Sequence, residues 1–566
     1  MGHIWQRFVE AGATFTAGAS ERTVQLSDIG PGLTNFDDWF VFQGGDEIRI
    51  YDRVCDHAGG RLISNNGRIS CPMHGWTLDP SIGSYVNVNC AKAPLKVCRK
   101  SEIENGQIRF SLPDSRRDLA GFDAEQHVEV EFLNHACLLI RTEGLQFATD
   151  PWLIGPAFSN GWWLSLPTPE DAFKRLNACD FLFISHNHPD HLHRETLEHV
   201  RKDMPILTAA FETGSTVRYL KEIGFTDIRA AGFDTRLEDR ERQIALSVLK
   251  SGDFRDDSGL LVEIGAFSAL LSVDANFVDF HRFPTNLTLF CSAFASGASG
   301  FPLCFETYGE DEKKRIMTRN CNVVRHINFQ ALDKMKPTAF LPYAGFFTEA
   351  AKRDAYIKQN NRKNSVDSYA EGCAERGVHL LDVTNSDRFV FEGAEFKRQE
   401  RLELEPIREI EPDAYLAAVE EQFGSTDLEE VRAYFLESGF AKPLNLLIRL
   451  TEDDFEAGEE AFSISFDDSG PVDVVSLDKL GFETAMSELE RFLAIRIRKA
   501  EFNRVIRLGL PWEDLSIGFQ CRVQRKPNIY HSDFWYHFSN VYVNDKVRRE
   551  SLNCDACVRL QQQLVV

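Results

Sequence analysis

The chain has 566 residues, too many for one hydrophobic core, so about three folding units are expected. At 43% hydrophobic and 26% charged it has an ordinary globular composition, and its net charge of -23 excludes nucleic acid and anionic membrane as general partners. Thirteen cysteines without a paired framework, no secretory signal and no apolar run of about 18 residues give the expectation of a cytoplasmic protein without a membrane span.

Residues 1–118 read as short strands with Gly-rich turns, among them Trp39–Phe42, Glu47–Tyr51 and Ile108–Phe110. Within them Cys55-Asp56-His57 is followed, thirteen residues later, by Cys71-Pro72-Met73-His74-Gly75-Trp76. CxH followed by CxxH is the signature of a Rieske [2Fe–2S] centre, in which Cys55 and Cys71 hold one iron and His57 and His74 the other. The competing reading is a structural zinc site of Cys2His2 type, which the CxH half and the CPxHGW context disfavour. Neither loop has a spare cysteine for a disulfide. The segment therefore resembles the Rieske domains of oxygenases and their ferredoxins. Cys90 and Cys98 read as core or surface thiols.

Residues 125–395 alternate strand and helix patterns, which fits a layered sandwich. Val128–Phe132 and Cys137–Ile140 read as strands, with His135 between them. A loop rich in Gly, Pro and Trp follows. It carries Trp162 and Trp163, as a pocket wall or as aromatic packing around a turn. The apolar strand Phe181–Ile184 then delivers His186, His188, Asp190 and His191, donors that suit Zn, Fe or Mn. This HxHxDH spacing resembles the metal loop of the metallo-β-lactamase fold, an αββα sandwich that hosts hydrolases, nucleases and iron enzymes alike. Arg194–Arg201 and Phe211–Ile223 look helical around a strand at Pro205–Thr208. A hairpin, Leu260–Ile264 and Ser268–Val273, ends at Asp274, where the fold expects a bridging carboxylate. Where a further His would precede the hairpin, the chain offers only Asp253. The last His of the pattern has no counterpart near Leu341–Phe347. These departures weaken a two-metal hydrolase and favour one iron held by two His and a carboxylate. Ser296–Pro302 is a small-residue loop able to approach a phosphate, or a plain turn. Lys352, Arg353, Lys358, Arg362 and Lys363 read as a solvated helix face.

Residues 400–566 form a mixed α/β region. An acidic helical run is expected over Glu400–Glu411, with helices over Ala414–Phe423 and Leu428–Ser438. Near the end, Arg522, Arg525, Tyr530, His531 and His537 alternate with aromatics, which suits an anionic ring-bearing ligand or an interface with snorkelling arginines. Cys554 and Cys557 form a lone CxxC with no partner pair.

The fusion and the strings DPWLIGPAF, GWWL, SHNHPDHL, SGASGFP, PYAGFF and IGFQCRVQRKPNIYH resemble the CMP-N-acetylneuraminate hydroxylase family over nearly the whole chain. The resemblance implies a multidomain α+β protein: an all-β Rieske domain, a sandwich and a C-terminal α/β region. It implies a [2Fe–2S] cluster and non-haem Fe, with electrons from a reductase and a small carrier, ferredoxin or cytochrome b5-like. It implies hydroxylation with O2 of the N-acetyl methyl of an anionic nucleotide sugar. The iron ligands would come from His186, His188, Asp190, His191 and Asp274. Trp162, Trp163, Ser296, Ser299, Arg522, Arg525, Tyr530 and His531 would serve the substrate. Three alternatives stay open: a related oxygenase acting on another substrate, including at nitrogen; a di-metal hydrolase with a regulatory Rieske segment; and an electron-transfer protein or oxygen reductase.

Overall fold

The computed structural model describes residues 4–56, 61–65, 68–71, 76–87, 89–211, 214–233, 235–251, 256–275, 283–408, 410–529, 531, 534–535 and 537–538. His57, His74, Asp253, Tyr530, Cys554 and Cys557 lie outside the described residues.

The amino-terminal fifth is built from antiparallel strands. Trp39–Gly44 and Glu47–Asp52 form a hairpin whose turn residue Gly45 has φ 62. Alternation places Ile48 and Ile50 inside, while Glu47 and Arg49 pair at the surface. A smaller sheet of Ile63–Asn65, Arg68–Ser70, Thr77–Asp79 and Ser84–Tyr85 lies beside it. Cys55 and Cys71 meet Phe40, Tyr51, Leu62 and Tyr85 in one buried cluster. A long ribbon, Phe15–Gln25 with Gln107–Arg117, completes this part. The first strand departs from the expected division at residue 118. Val9–Gly12 pairs with Thr235–Asp239, and Ile4 and Phe8 join the core of the next unit.

That unit is a sandwich of two eight-stranded mixed sheets enclosing the largest core. Phe181–Ile184 runs parallel to both Leu145–Thr149 and Ile206–Ala209, with all four of its residues buried. A strand covered on both faces needs apolar residues throughout, which explains FLFI. The hairpin Ser258–Ile264 and Phe267–Leu271 is central in the second sheet. Outside the first sheet pack Ala172–Asn177, Arg194–Glu198 and Ser215–Ile223. The 26-residue helix Glu310–Met335 packs Ala331, Leu332 and Met335 on the second.

The carboxyl-terminal unit is a five-stranded sheet, central strand Leu444–Thr451, edge strand Cys521–Lys526. Its helices include Pro412–Phe423, Leu428–Leu436 and Lys499–Leu508. The acidic run Glu400–Glu411 is not helical: Glu400 closes a strand and Pro406 bridges Pro169. Like charges at helical spacing repel, and Pro406 lacks a backbone donor. The helix starts only at Pro412, where Glu411 caps it by accepting the Ala414 N–H at 2.7 Å. No helix among the described residues is long and apolar enough to cross a membrane.

The seam between sandwich and C-terminal unit is tight. A Cβ on Gly161 would stand 1.9 Å from the Gly518 carbonyl oxygen, and one on Gly518 would stand 1.8 Å from that of Phe158. Trp162 stacks on Phe347 at 3.6 Å and donates its indole N–H to the Ile517 carbonyl at 3.1 Å.

Candidate metal centre and adjoining cavity

Strand ends assemble the centre. His135 follows His127–Asn134, Asp150 follows Leu145–Thr149, the His186–His191 loop follows Phe181–Ile184, Asp274 follows the hairpin, and Asp257 precedes it. The loop is fixed from beneath. The Ser185 N–H donates to Asp150 Oδ1 at 2.7 Å, and Ser258 Oγ donates to the Ser185 carbonyl at 2.6 Å. His135, Asp150 and Val273 hold left-handed φ of 45, 36 and 53, a strain that persists where packing over-determines the backbone.

The side chains converge in three overlapping triads: His135, Asp190 and His191; His186, His191 and Asp274; His186, His188 and Asp257. Nε2 of His135 lies 3.1 Å from Asp190 Oδ2, and Nε2 of His191 lies 3.3 Å from the same oxygen. His191 Nδ1 stands 3.3 Å from Asp150 Oδ2 and its Nε2 3.6 Å from Asp274 Oδ2. His186 Nε2 is 2.9 Å from His188 Nδ1 and 3.8 Å from Asp257. Asp274 and His188 are only half-buried, the Asp274 side chain being 26% exposed.

This donor set fits a metal. Both ring nitrogens of His191, His135 Nδ1, Asp190 Oδ1 and Asp150 Oδ2 are buried without a hydrogen bond among the described residues. Buried polar atoms are ordinarily satisfied, so such a cluster calls for a partner of another kind. The electrostatics agree. Burial works against a charged His191, but Asp190 and Asp274 outweigh it and lift its pKa well above the usual histidine range. Burial likewise opposes the Asp190 carboxylate, yet the His191 charge holds its pKa well below normal. His186 is driven down to about 3 by burial and by His191, leaving a neutral imidazole free to coordinate. Asp150, Asp190, Asp257 and Asp274 concentrate negative charge that a cation would balance. His193 shows the contrast: its Nδ1 accepts the Thr196 N–H at 3.2 Å and its Nε2 donates to the Pro156 carbonyl at 3.1 Å, which leaves no ligand atom.

His186, His188, Asp190, His191 and Asp274 are thus brought together as the sequence pattern expected. His135, Asp150 and Asp257 join them unannounced. Their signal was position: each polar residue sits where an apolar strand begins or ends, on the sheet edge that carries the loop.

The residues expected to serve the substrate do not line the cavity beside the metal loop. Trp162 and Trp163 are buried in the seam, Trp163 edge-on to Tyr415 at 5.7 Å. Arg522 covers Phe455 at 4.0 Å and donates to the Cys521 carbonyl at 2.8 Å. Arg525 donates to Asn528 and Tyr308. His531 is buried. Gly297, beside Ser296, gives its carbonyl to the Asn361 amide at 3.0 Å, and Ser299 Oγ accepts the Phe301 N–H. The expected basic face is divided: Lys352 is exposed, while Arg353 and Lys363 are half-buried and paired, with Glu501 at 2.6 Å and Glu349 at 2.9 Å. The cavity adjoining the metal loop, of about 620 Å³, is lined by Ser159, Asn187, Pro189, Arg504 and Asp514 among others.

At the amino-terminal centre, Cys55 and Cys71 are buried, neither is disulfide-bonded, and both face one apolar cluster. This suits two thiolate ligands to one iron. Lys92 braces the Cys55 loop by donating to the Val54 carbonyl and pairing with Asp52, each at 2.7 Å.

Residues 22–109 match the Rieske [2Fe-2S] domain model and residues 129–248 the beta-lactamase superfamily domain model. The two matches define a Rieske protein built on a metallo-β-lactamase scaffold, a class that requires an electron donor. Across 538 residues the chain is 30% identical to the cytidine monophosphate-N-acetylneuraminic acid hydroxylase of Xenopus laevis, covering 88% of each chain. It is 29% identical to that of Macaca mulatta, covering 91% of this chain and 92% of the relative. The chain belongs to the CMP-N-acetylneuraminic acid hydroxylase family. Among solved structures it is similar to Igni18, a metallo hydrolase of Ignicoccus hospitalis KIN4/I, at 13% identity, covering 47% of this chain and 99% of that one with a TM-score of 0.32.

Proposed function

We propose that the chain hydroxylates the N-acetyl methyl group of CMP-N-acetylneuraminate, giving the N-glycolyl product. One oxygen atom of O2 enters the C–H bond. The other leaves as water, at the expense of two electrons and two protons. The electrons arrive singly through the Rieske cluster, from a reductase and a small cytoplasmic carrier of ferredoxin or cytochrome b5 type. The observation that carries the reading is the set of buried, unbonded nitrogens and carboxylate oxygens around His191, in a chain that also has the Rieske cysteines.

His186, His188, Asp190, His191 and Asp274, with His135 and Asp257, would hold iron, which when bound supplies the O2 activation that an unactivated methyl demands. The remaining residues orient and exclude. Asp150 holds the loop through the Ser185 N–H and faces His191 Nδ1. Ser185 Oγ lies 2.9 Å from His186 Nδ1, so its hydroxyl selects which ring nitrogen of His186 faces the centre. Phe158 packs edge-on to His188 at 5.6 Å and shields it from water. The C-terminal unit closes the pocket from the other side.

Turnover under 18O2 with CMP-N-acetylneuraminate, a chemical reductant and a carrier is expected to give a product heavier by one labelled oxygen. The overlapping triads also admit two ions, and a dinuclear hydrolase would use them. It would work without O2 and would survive Cys55→Ser, whereas the oxygenase loses turnover.

A further inference from the structure

The cavity beside the metal loop contains two polar groups that the fold leaves unmatched. One wall includes Phe158 and Ser159, which with Asn160 make three consecutive residues with left-handed φ of 47, 48 and 63. Side chains other than glycine rarely adopt that region even singly. The segment is held there by a buried network. Asn160 Nδ2 donates to both oxygens of Glu501, at 3.0 and 2.8 Å, and Glu501 takes Arg353 at 2.6 Å. Gly518 has no Cβ, so it lets the Phe158 carbonyl approach. The outcome is that Ser159 Oγ is buried and makes no hydrogen bond among the described residues.

Across the cavity stands Arg504, half-buried on the helix Lys499–Leu508. Among the described residues its guanidinium forms no hydrogen bond and no ion pair, although Asp514 on the same cavity lies within its field. Its neighbours are all engaged: Arg507 binds Glu430 at 2.8 Å, Arg498 binds Asp354, and Arg194 binds Glu198 at 3.1 Å. Of the acidic residues on the cavity, Glu195 is held by the Tyr415 hydroxyl and Glu222 is exposed. Asn187 and Pro189 flank His188 and form the side nearest the metal centre. A volume of about 620 Å³ matches that of ordinary small-molecule sites.

We infer that this cavity, and not the Arg522–His531 segment, seats the substrate, with an oxyanion on Arg504 and a hydrogen bond from Ser159 Oγ. A guanidinium lacking a carboxylate partner is the natural anchor for phosphate or carboxylate. The assignment rests on the proposed reaction for the identity of the ligand. A nucleotide sialic acid carries both anions, so its fragments decide which one binds: CMP brings phosphate, and free N-acetylneuraminate brings carboxylate.

The test is calorimetric titration of the full chain, anaerobic and without reductant, with CMP, N-acetylneuraminate and CMP-N-acetylneuraminate in turn. Arg504→Gln is expected to weaken the intact nucleotide sugar and one of the two fragments by roughly 10- to 100-fold, the loss of one charge-assisted hydrogen bond. Arg504→Lys should retain part of the affinity, because charge survives without the planar fork. Ser159→Ala should weaken binding about tenfold or less. Arg525→Gln should leave binding unchanged. Melting curves equal to wild type keep a folding defect from passing for a binding defect. Wild-type affinity for the nucleotide sugar that Arg504→Gln and Arg504→Lys both preserve overturns the cavity assignment and leaves the reaction standing. Wild-type protein that binds none of the three overturns both.

Discussion

The sandwich and the C-terminal seam both bury charge, and they treat it differently. In the seam, opposite charges meet at hydrogen-bond distance. Arg498 donates to Asp354 at 2.5 Å and to Gln520 at 2.8 Å, and Arg353 meets Glu501 at 2.6 Å. Those ions are paired at hydrogen-bond distance, leaving only single atoms such as Arg353 Nε and Asp354 Oδ2 without a hydrogen bond among the described residues, and they join two units. In the sandwich, the imidazoles and carboxylates around His191 approach one another at 3.1–3.6 Å yet leave ring nitrogens and carboxylate oxygens without hydrogen bonds. Burial by itself therefore does not mark a site. Burial with unspent bonding capacity concentrated on converging imidazoles and carboxylates does.

The comparison breaks most sharply under His191→Ala. Its ring belongs to two of the triads, so the variant should lose iron from the sandwich and all turnover. It should keep the visible spectrum of the Rieske cluster, with metal analysis and absorbance as the readouts. Arg498→Ala should do the reverse. It strands Asp354 in the seam and lowers stability by roughly 3–5 kcal/mol in denaturant titrations, while bound iron per folded chain stays constant. Asp514 gives a pH-dependent test. Burial raises its carboxyl pKa to about 7, far above its value in an unfolded chain. The unfolded state then releases its proton first, so the folded protein loses stability as pH rises from about 4 to about 7 and levels off above. Asp514→Asn should remove that slope, so its melting temperature relative to wild type climbs between pH 5 and pH 8. Arg525→Ala should have the smallest effect, under about 1 kcal/mol and without loss of activity, since its partners Asn528 and Tyr308 are neutral.

Local pattern and remote contact explain what the sequence disclosed. The HxHxDH loop was legible because its ligands crowd six positions after an apolar strand, and Asp274 because a hairpin of two apolar runs ends there. Cys55 and Cys71 were legible through their spacing to His57 and His74. His135, Asp150 and Asp257 were not, because each is a single residue whose meaning depends on which strands become neighbours. Arg522 and Arg525 are ambiguous in sequence for the same reason. A cation among aromatics reads alike whether it awaits a ligand or, like Arg522, packs on Phe455. Arg504 carried no signal at all: only the absence of a partner among the described residues distinguishes it from Arg507 one helical turn on. The chain start illustrates another limit, since the pairing of Val9–Gly12 with Thr235–Asp239 spans more than two hundred residues and follows no local rule.

The account depends on electrons passing from the Rieske cluster to iron in the sandwich only for the sake of the substrate. The direct measurement is single turnover. The cluster is reduced anaerobically, excess reductant is removed, and O2 is admitted with or without CMP-N-acetylneuraminate while the EPR signal of the reduced cluster is followed. The prediction is rapid loss of the signal with the nucleotide sugar present, matched by formation of hydroxylated product, and slow loss in its absence or in His191→Ala. Equal rates of oxidation in all three samples, or oxidation without product, would contradict it.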